Sequence, residues 1–527
     1  MWGIHANGLA AALAVLLATC GSAAAITAMS AVTGSVVETT SGPVKGEMQD
    51  GLMAFKGIPF AAPPVGALRW RPPQPVEPWT EMRDAGKFGE MCAQPTLPTG
   101  PNKGSEDCLT INVWTQPGES VAKRPVMVWI YGGAFVVGNS MSSLDQAATE
   151  LSKRGVVLVS FNYRVGRFGF FAHPEMRKEH PDEPVANYWL MDQIAALKWV
   201  RDNIAAFGGD RGNVTIFGIS AGGTSVNGLV ASPEARGLFH KAISMSGGGL
   251  FPASTPLADA EKIGVVVAER AGAKGAGALG KMRAMTADQI LSNEQGPPAF
   301  LPMVDGKLLP EGLSVMFARG NIASVPYMAG TTSDEFSIFG MMGFTGETLK
   351  ERFGVDVAAA RSAYEDGGKL TDAELVSQIG TDFIFTSGSM GLASMAAKAG
   401  QPAYTYRLAY LADEFRPTLK GVPHGGDGQY IFGLDYKPET VFAPGTHIEK
   451  PTDKDRRVSA MMADYWVNFA RTGDPNGEGL PRWGRFNAPS RETLVIDDDT
   501  VSVPDFRKAQ LGLWYRMWEQ QNGLGVE

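Results

Sequence analysis

The chain is poor in the residues that build metal and nucleic-acid sites. Its 527 residues include three cysteines and six histidines, with no His-x-x-x-His pair and no closely paired cysteines, so no zinc site is expected. No Gly-x-x-x-x-Gly-Lys-Ser/Thr loop occurs either, and neither a metal nor an organic cofactor is called for. A net charge of -8 and the lack of a basic stripe argue against nucleic acid as a partner. The apolar run Leu9 to Thr19 is too short to span a bilayer. No internal repeat is evident.

The composition, 44% hydrophobic and 19% charged, is that of a globular protein with a large core. Within it stands Gly218-Ile219-Ser220-Ala221-Gly222, directly after the strand-like run Val214-Thr215-Ile216-Phe217 and before a helical stretch to Ala231. That is the form of a nucleophile elbow, in which a serine is lifted clear of a sheet on a strained turn and glycines two residues either side avoid a clash. A chain with 64 glycines should hold on the order of half such a match by chance, so partners must decide. The chain order Ser, then Asp or Glu, then His leaves His424 and His447, since His240 lies too close. His424 sits in the turn-rich Gly421-Val422-Pro423-His424-Gly425-Gly426-Asp427, whereas His447 lies in a polar segment that reads as a solvated loop. For the acid, the apolar run 325–330 reads as a buried strand opening into Thr331-Thr332-Ser333-Asp334-Glu335, where Asp334 and Glu335 are both candidates that spacing does not separate.

Longer motifs carry a resemblance. Glu106-Asp107-Cys108-Leu109-Thr110-Ile111-Asn112-Val113-Trp114, Phe207-Gly208-Gly209-Asp210 with the serine segment through Gly223, Asn162-Tyr163-Arg164-Val165-Gly166, and Asp192 through Val200 together resemble the type-B carboxylesterases, the family of cholinesterases and many bacterial esterases, from about residue 34 to the C-terminus. The resemblance implies an α/β-hydrolase fold and a serine carboxylesterase acting through an acyl-enzyme. It places the acid at Glu335 and the base at His424, giving Ser220, Glu335 and His424 as the triad. Tyr131-Gly132-Gly133-Ala134-Phe135 resembles the family's donor loop, so the backbone N–H groups of Gly133, Ala134 and Ala221 are the expected oxyanion hole. It also implies a disulfide between Cys92 and Cys108. Three departures stand out: Ala134 for a third glycine, expected to disfavour substrates bulky beside the carbonyl; Ile219 where many relatives carry glutamate, which argues against choline esters; and Asp427 for a glutamate after the histidine. Met245 replaces a common glutamine, and Ser246 is read as structural or supporting.

The expected architecture is α/β, a mostly parallel sheet with strands at about 125–131, 156–163, 213–218, 241–246, 325–330, 404–410 and 493–497 and helices near 186–205 and 221–231. Residues 26–527 read as one catalytic domain, with helical insertions near 255–300 and 345–400 walling a substrate gorge. The segment Phe506 to Gln521 reads as a packing helix. Residues 1–25 read as a signal peptide, with Ala23-Ala24-Ala25 offering the cleavage site; the alternative is a lipoprotein signal with Cys20 acylated. The resulting expectation is a secreted or periplasmic esterase for small to medium carboxylic esters. The competing functions are a lipase, an esterase for aromatic esters, carbamates or a natural product, and a non-catalytic adhesion protein on the same fold.

Overall fold

The computed structural model describes residues 35–526 apart from 98–99, 119–122, 142–143, 252–253, 293–299, 342, 366, 438–446 and 488. The expected signal segment and Cys20 therefore lie outside the described residues.

The core is built on an eleven-stranded sheet. Its strands are β1 (Glu47–Gln49), β2 (Leu52–Pro59), β3 (Thr110–Thr115), β4 (Arg124–Ile130), β5 (Val157–Phe161), β6 (Gly209–Ile219), β7 (Lys241–Met245), β8 (Tyr327–Thr332), β9 (Ala403–Leu408), β10 (Thr493–Ile496) and β11 (Val501–Val503). In space they run β11-β10-β9-β8-β7-β6-β4-β5-β3-β2-β1. The central neighbours from β5 to β10 are parallel. Both margins, β1-β2-β3-β5 and β10-β11, are antiparallel. The central strands are runs such as Val157-Leu158-Val159-Ser160-Phe161, buried along their whole length, as a sheet covered on both faces requires.

The antiparallel margin near the N-terminus is an addition to the sequence reading. It begins with a hairpin whose two-residue turn is Asp50-Gly51, both at positive φ (50° and 81°), the backbone that matches the twist of paired strands. A separate three-stranded sheet joins Val36–Thr39, Gly42–Lys45 and Arg83–Asp84.

The helices that bear on the site are α1 (Tyr188–Asn203), α2 (Ala221–Ala231), α3 (Asp372–Gly380), α4 (Ser387–Lys398), α5 (Asp427–Ile431), α6 (Asp453–Thr472) and α7 (Lys508–Asn522). Helix α1 buries most of its surface, including Trp189, Leu190, Leu197 and Val200. Between α3 and α4 the chain stays helical but widens into a π-helix over Thr381–Thr386. The stretch 255–300 carries three short helices, Leu257–Arg270, Ala278–Arg283 and Ala287–Ser292. Helix α7 buries Leu511, Trp514, Tyr515 and Trp518, the spacing of a single apolar stripe. Cys92 and Cys108 are bonded, closing a loop of sequence separation 16.

Candidate active site

The topology sets five loops side by side. Strands β9, β8, β7, β6 and β4 are parallel and consecutive in the sheet, so the segments leaving their C-terminal ends converge on one edge, where open α/β sheets bind ligands. Those ends deliver the Gly132-Gly133-Ala134 turn, Ser220, Ser246, Glu335 and, after a longer excursion, His424.

Ser220 occupies the junction between β6 and α2 at φ 58°, ψ -123°, a region that L-residues enter only under strain. The turn is held because its flanks are packed backbone to backbone: a Cβ on Gly222 would meet the Ile130 carbonyl at 2.0 Å, and one on Gly218 would meet the carbonyls of Gly222 and Ile130 at 2.6 Å. The Ser220 N–H donates to the Met245 carbonyl (2.9 Å).

Glu335 is fully buried and His424 is 4% exposed. His424 Nε2 lies 2.8 Å from Ser220 Oγ, and Nδ1 lies 2.5 Å from Glu335 Oε2. The other carboxylate oxygen, Oε1, accepts from the Thr332 N–H and from the Ser246 hydroxyl, each at 2.6 Å. The Glu335 carboxylate is thus held by three contacts, two on Oε1 and one on Oε2. The loops carrying acid and base are tied to each other: Asp334 N–H donates to the Val422 carbonyl (2.9 Å), Val422 N–H to Ser333 Oγ (2.8 Å), and His424 N–H to Ser337 Oγ (3.1 Å). Phe385 packs its ring 4.8 Å from the imidazole.

Asp334 faces elsewhere and accepts from Ser377 Oγ (2.7 Å), while burial raises its pKa. His447 lies 3.8 Å from Glu449 and outside this cluster. Of the alternatives that spacing left open, Glu335 and His424 are the pair that meets Ser220.

The loop after β4 has three consecutive residues at positive φ, Gly133 (114°), Ala134 (56°) and Phe135 (59°). A Cβ on Gly133 would meet the Val137 carbonyl at 2.0 Å, and the return is closed by the Val136 and Val137 N–H groups donating to the Gly133 carbonyl (2.9 and 3.1 Å). Among the described residues, the N–H groups of Gly133, Ala134 and Ala221 have no acceptor within the protein. Ala134 is exposed and carries its methyl in the left-handed region that glycine adopts more cheaply. The loop's start is fixed by Tyr131 and Tyr163, whose rings stack at 4.3 Å and whose hydroxyls each donate to the other's carbonyl (2.9 and 2.8 Å). Among the described residues, no group of three His, Cys, Asp or Glu side chains could hold a metal ion.

Known proteins resemble this chain in sequence and in fold. Residues 33–514 match the model of the carboxylesterase family. The chain belongs to that family. It is 34% identical over 513 residues to the para-nitrobenzyl esterase of Bacillus subtilis (strain 168), covering 91% of this chain and 98% of the relative. It is 32% identical over 464 residues to the fumonisin B1 esterase of Sphingopyxis macrogoltabida, covering 86% and 84%. Among solved structures, a PNB esterase superposes with a TM-score of 0.79 at 31% identity over 91% of this chain and 99% of its own. A carboxylesterase of Geobacillus stearothermophilus gives 0.79 at 30% identity over 91% and 100%. The fold is accordingly the α/β-hydrolase fold, and the activity is that of a carboxylic ester hydrolase acting on a small-molecule ester.

This carboxylesterase keeps a second carboxyl group beneath the site. Asp427, at the start of α5, is fully buried, and its Oδ2 accepts from the Tyr406 hydroxyl (2.7 Å). Tyr406 fits there because β8 has Gly330 opposite it, where a Cβ would lie 2.1 Å from the ring. Burial pushes the Asp427 carboxyl up to about 6, with the charge of Glu335 adding to the rise. Neither Tyr406 nor Phe385 is marked by any local motif; both reach the site from segments far away in the chain. Among the described residues no helix is long and apolar enough to cross a membrane.

Proposed function

We propose that this ester hydrolase works through an acyl-enzyme formed on Ser220. His424 takes the hydroxyl proton as Ser220 attacks the ester carbonyl, and Glu335 holds the imidazole in the tautomer and orientation the transfer needs. Negative charge then develops on the carbonyl oxygen, and the N–H groups of Gly133, Ala134 and Ala221 receive it. Protonated His424 returns its proton to the departing alcohol, and water repeats the sequence on the acyl group. The observation that carries this reading is the unbroken chain from Glu335 through His424 to Ser220, at 2.5 and 2.8 Å, beside three N–H groups without a protein acceptor.

The preferred substrates are small to medium carboxylic esters, unbranched beside the carbonyl because the Ala134 methyl stands at the acyl site. The relatives named for para-nitrobenzyl and fumonisin B1 esters make activated aromatic esters and polyester natural products the first compounds to try. Ser220→Ala should abolish p-nitrophenyl acetate hydrolysis, a loss of at least about 10⁴-fold, and should abolish labelling by an organophosphate. Undiminished turnover in that variant would overturn the mechanism. A preference for α-branched acyl groups over straight ones would overturn the role given to Ala134.

Residues 26–527 act as one catalytic domain, since one continuous sheet from Glu47 to Val503 carries Ser220, Glu335 and His424. The enzyme is exported, to the periplasm or beyond, behind a signal in residues 1–25. Support comes from the apolar run Leu9 to Thr19 and from the bonded Cys92 and Cys108, a pairing that persists in oxidising compartments. N-terminal sequencing of the mature protein tests this, with an acylated Cys20 as the competing outcome.

A further inference from the structure

The π-helix between α3 and α4 contacts the triad loops at several points, and one buried cation ties them together. The Phe336 N–H, one residue after Glu335, donates to Thr381 Oγ1 at the start of the wide turn (3.0 Å). Phe385, near its end, packs on the His424 ring. Between these lies the guanidinium of Arg407, buried on β9: Nη1 donates to Thr386 Oγ1 (3.1 Å) and Nη2 donates to the Ser333 carbonyl (3.0 Å), two residues before Glu335. Ser333 in turn accepts from Val422, two residues before His424. One planar side chain therefore joins the wide turn to the acid loop and, through Ser333, to the base loop. A π-helical segment is rare and costs regular i to i-4 pairing, so its presence here calls for a local reason.

Charge follows the same path. Asp382, fully buried in the wide turn, accepts from Arg507 through Nε (2.8 Å) and Nη2 (2.6 Å). Its other oxygen has no hydrogen-bond partner among the described residues and lies 3.9 Å from Arg407 Nη1. Arg507 stands immediately before α7 and lies 5.5 Å from the centre of the Tyr364 ring. Burial lowers the Arg407 pKa to about 10, which leaves it a cation at neutral pH. The charged groups that act on that cation are Asp382, Arg507, Glu335 and Asp334, and the titratable groups Asp427 and Tyr406 face the Glu335–His424 pair from α5 and β9.

We propose that Arg407 is a positioning residue for the Glu335–His424 pair. Its two-pronged guanidinium fixes the acid loop against the wide helical turn and sets a buried cation behind that loop, with Asp382 and Arg507 completing the charge cluster. The inference rests on the acyl-enzyme reading of Ser220, His424 and Glu335.

The sign of the electrostatic effect is fixed. A cation near the pair disfavours the added proton that stops catalysis, so removing it moves the acid limb of the kcat/KM profile to higher pH. Full-length wild type, Arg407→Lys, Arg407→Met and Arg507→Gln are compared by pH profile with p-nitrophenyl acetate and by thermal melting. Arg407→Met should raise the limb by roughly one pH unit and lower kcat about tenfold. Arg407→Lys keeps the charge but loses the fork, so kcat falls while the limb stays in place. Arg507→Gln, which leaves Asp382 less well balanced, should raise the limb by a smaller amount with KM unchanged.

A limb that stays in place in Arg407→Met, or moves equally in the Lys and Met variants, overturns the proposal and leaves Arg407 as packing alone. If Arg407→Met does not fold, Arg507→Gln decides: a raised limb supports the proposal and an unmoved one overturns it. Activity surviving in Ser220→Ala would instead remove the reading beneath it, so the two failures are distinguishable.

Discussion

The serine elbow and the acid-base loops reach one site by opposite means. At the elbow, everything that sets Ser220 lies within a few residues or on the adjacent strand: a buried strand, two glycines pressed against the Ile130 carbonyl, and a helix that begins at once. Glu335 and His424 lie 89 residues apart and bond each other directly, while their loops are held together by hydrogen bonds between Ser333 and Val422, Asp334 and Val422, and Ser337 and His424, with Ser246 bonding the Glu335 carboxylate from a further strand end. The elbow is rigid because of sterics, which act over one bond length. The loop pair is rigid because of a polar network, in which each member contributes a modest and separable amount. The elbow should therefore fail abruptly when altered, and the loop pair by degrees.

The largest expected effect tests the centre of the pair. Glu335→Gln preserves shape but removes the charge that orients the imidazole, and should lower kcat about 10⁴-fold, read by steady-state kinetics; a loss under tenfold would mean that Glu335 is not the acid. Next comes the elbow. Gly222→Ala forces a Cβ to within 2.0 Å of the Ile130 carbonyl, so backbone must move and activity should drop by at least about 10²-fold with a lowered melting temperature. Near-normal turnover there would erase the contrast between the regions. Ser246→Ala removes one of three donors to the Glu335 carboxylate, and a hydrogen bond to a charged group contributes about 1.5–3 kcal/mol. The expected loss in kcat/KM is about ten- to a hundredfold, the graded response of a network.

The smallest effect concerns pH and stability. Asp427 has its folded pKa raised to about 6, against an unfolded value of about 3.9. Between these values the folded chain holds a proton that the unfolded chain has released, so stability falls as pH rises through that window, by up to about 3 kcal/mol. Asp427→Asn keeps an acceptor for the Tyr406 hydroxyl and removes the titration. Its melting temperature relative to wild type should rise as pH goes from about 4 to about 7. A constant difference across that range would remove Asp427 as the source.

The readable parts of the fold share a cause. Strands such as Val126–Ile130 and Val157–Phe161 are buried on both faces, so their sequences are apolar throughout and stand out by composition alone. The antiparallel margin was not read in advance, because Leu52–Pro59 carries an irregular register between Phe55 and Ile58 and includes Lys56, which blurs any period-two pattern. Its one clear marker was Asp50-Gly51. In the site, the turn at Ser220 is legible from the glycines that its backbone needs, whereas Tyr131-Gly132-Gly133 by itself reads as an ordinary glycine turn and is singled out as a donor loop by the family resemblance. Glu335 could not be told from Asp334 by spacing, since neighbouring loop carboxylates differ only in where the fold turns them: toward His424, or toward Ser377. Ser246 was read as structural or supporting, and its hydroxyl sits on the acid. Phe385, Tyr406 and Arg407 left no local trace, because their nearest partners at the site, His424, Asp427 and Thr386, lie 39, 21 and 21 residues away.

The sequence by itself determined the elbow, the run of buried strands and the family, because sterics and burial act on adjacent residues and leave a pattern along the chain. Only the tertiary structure decided how the Glu335 and Asp334 side chains are turned, that among the described residues the Gly133, Ala134 and Ala221 N–H groups lack a protein acceptor, and that a buried arginine from β9 bonds the Ser333 carbonyl of the neighbouring loop. Those outcomes depend on the order of strands in the sheet, which brings the ends of β4, β6, β7, β8 and β9 to one edge. Strand order is a property of long-range pairing, and no local periodicity encodes it.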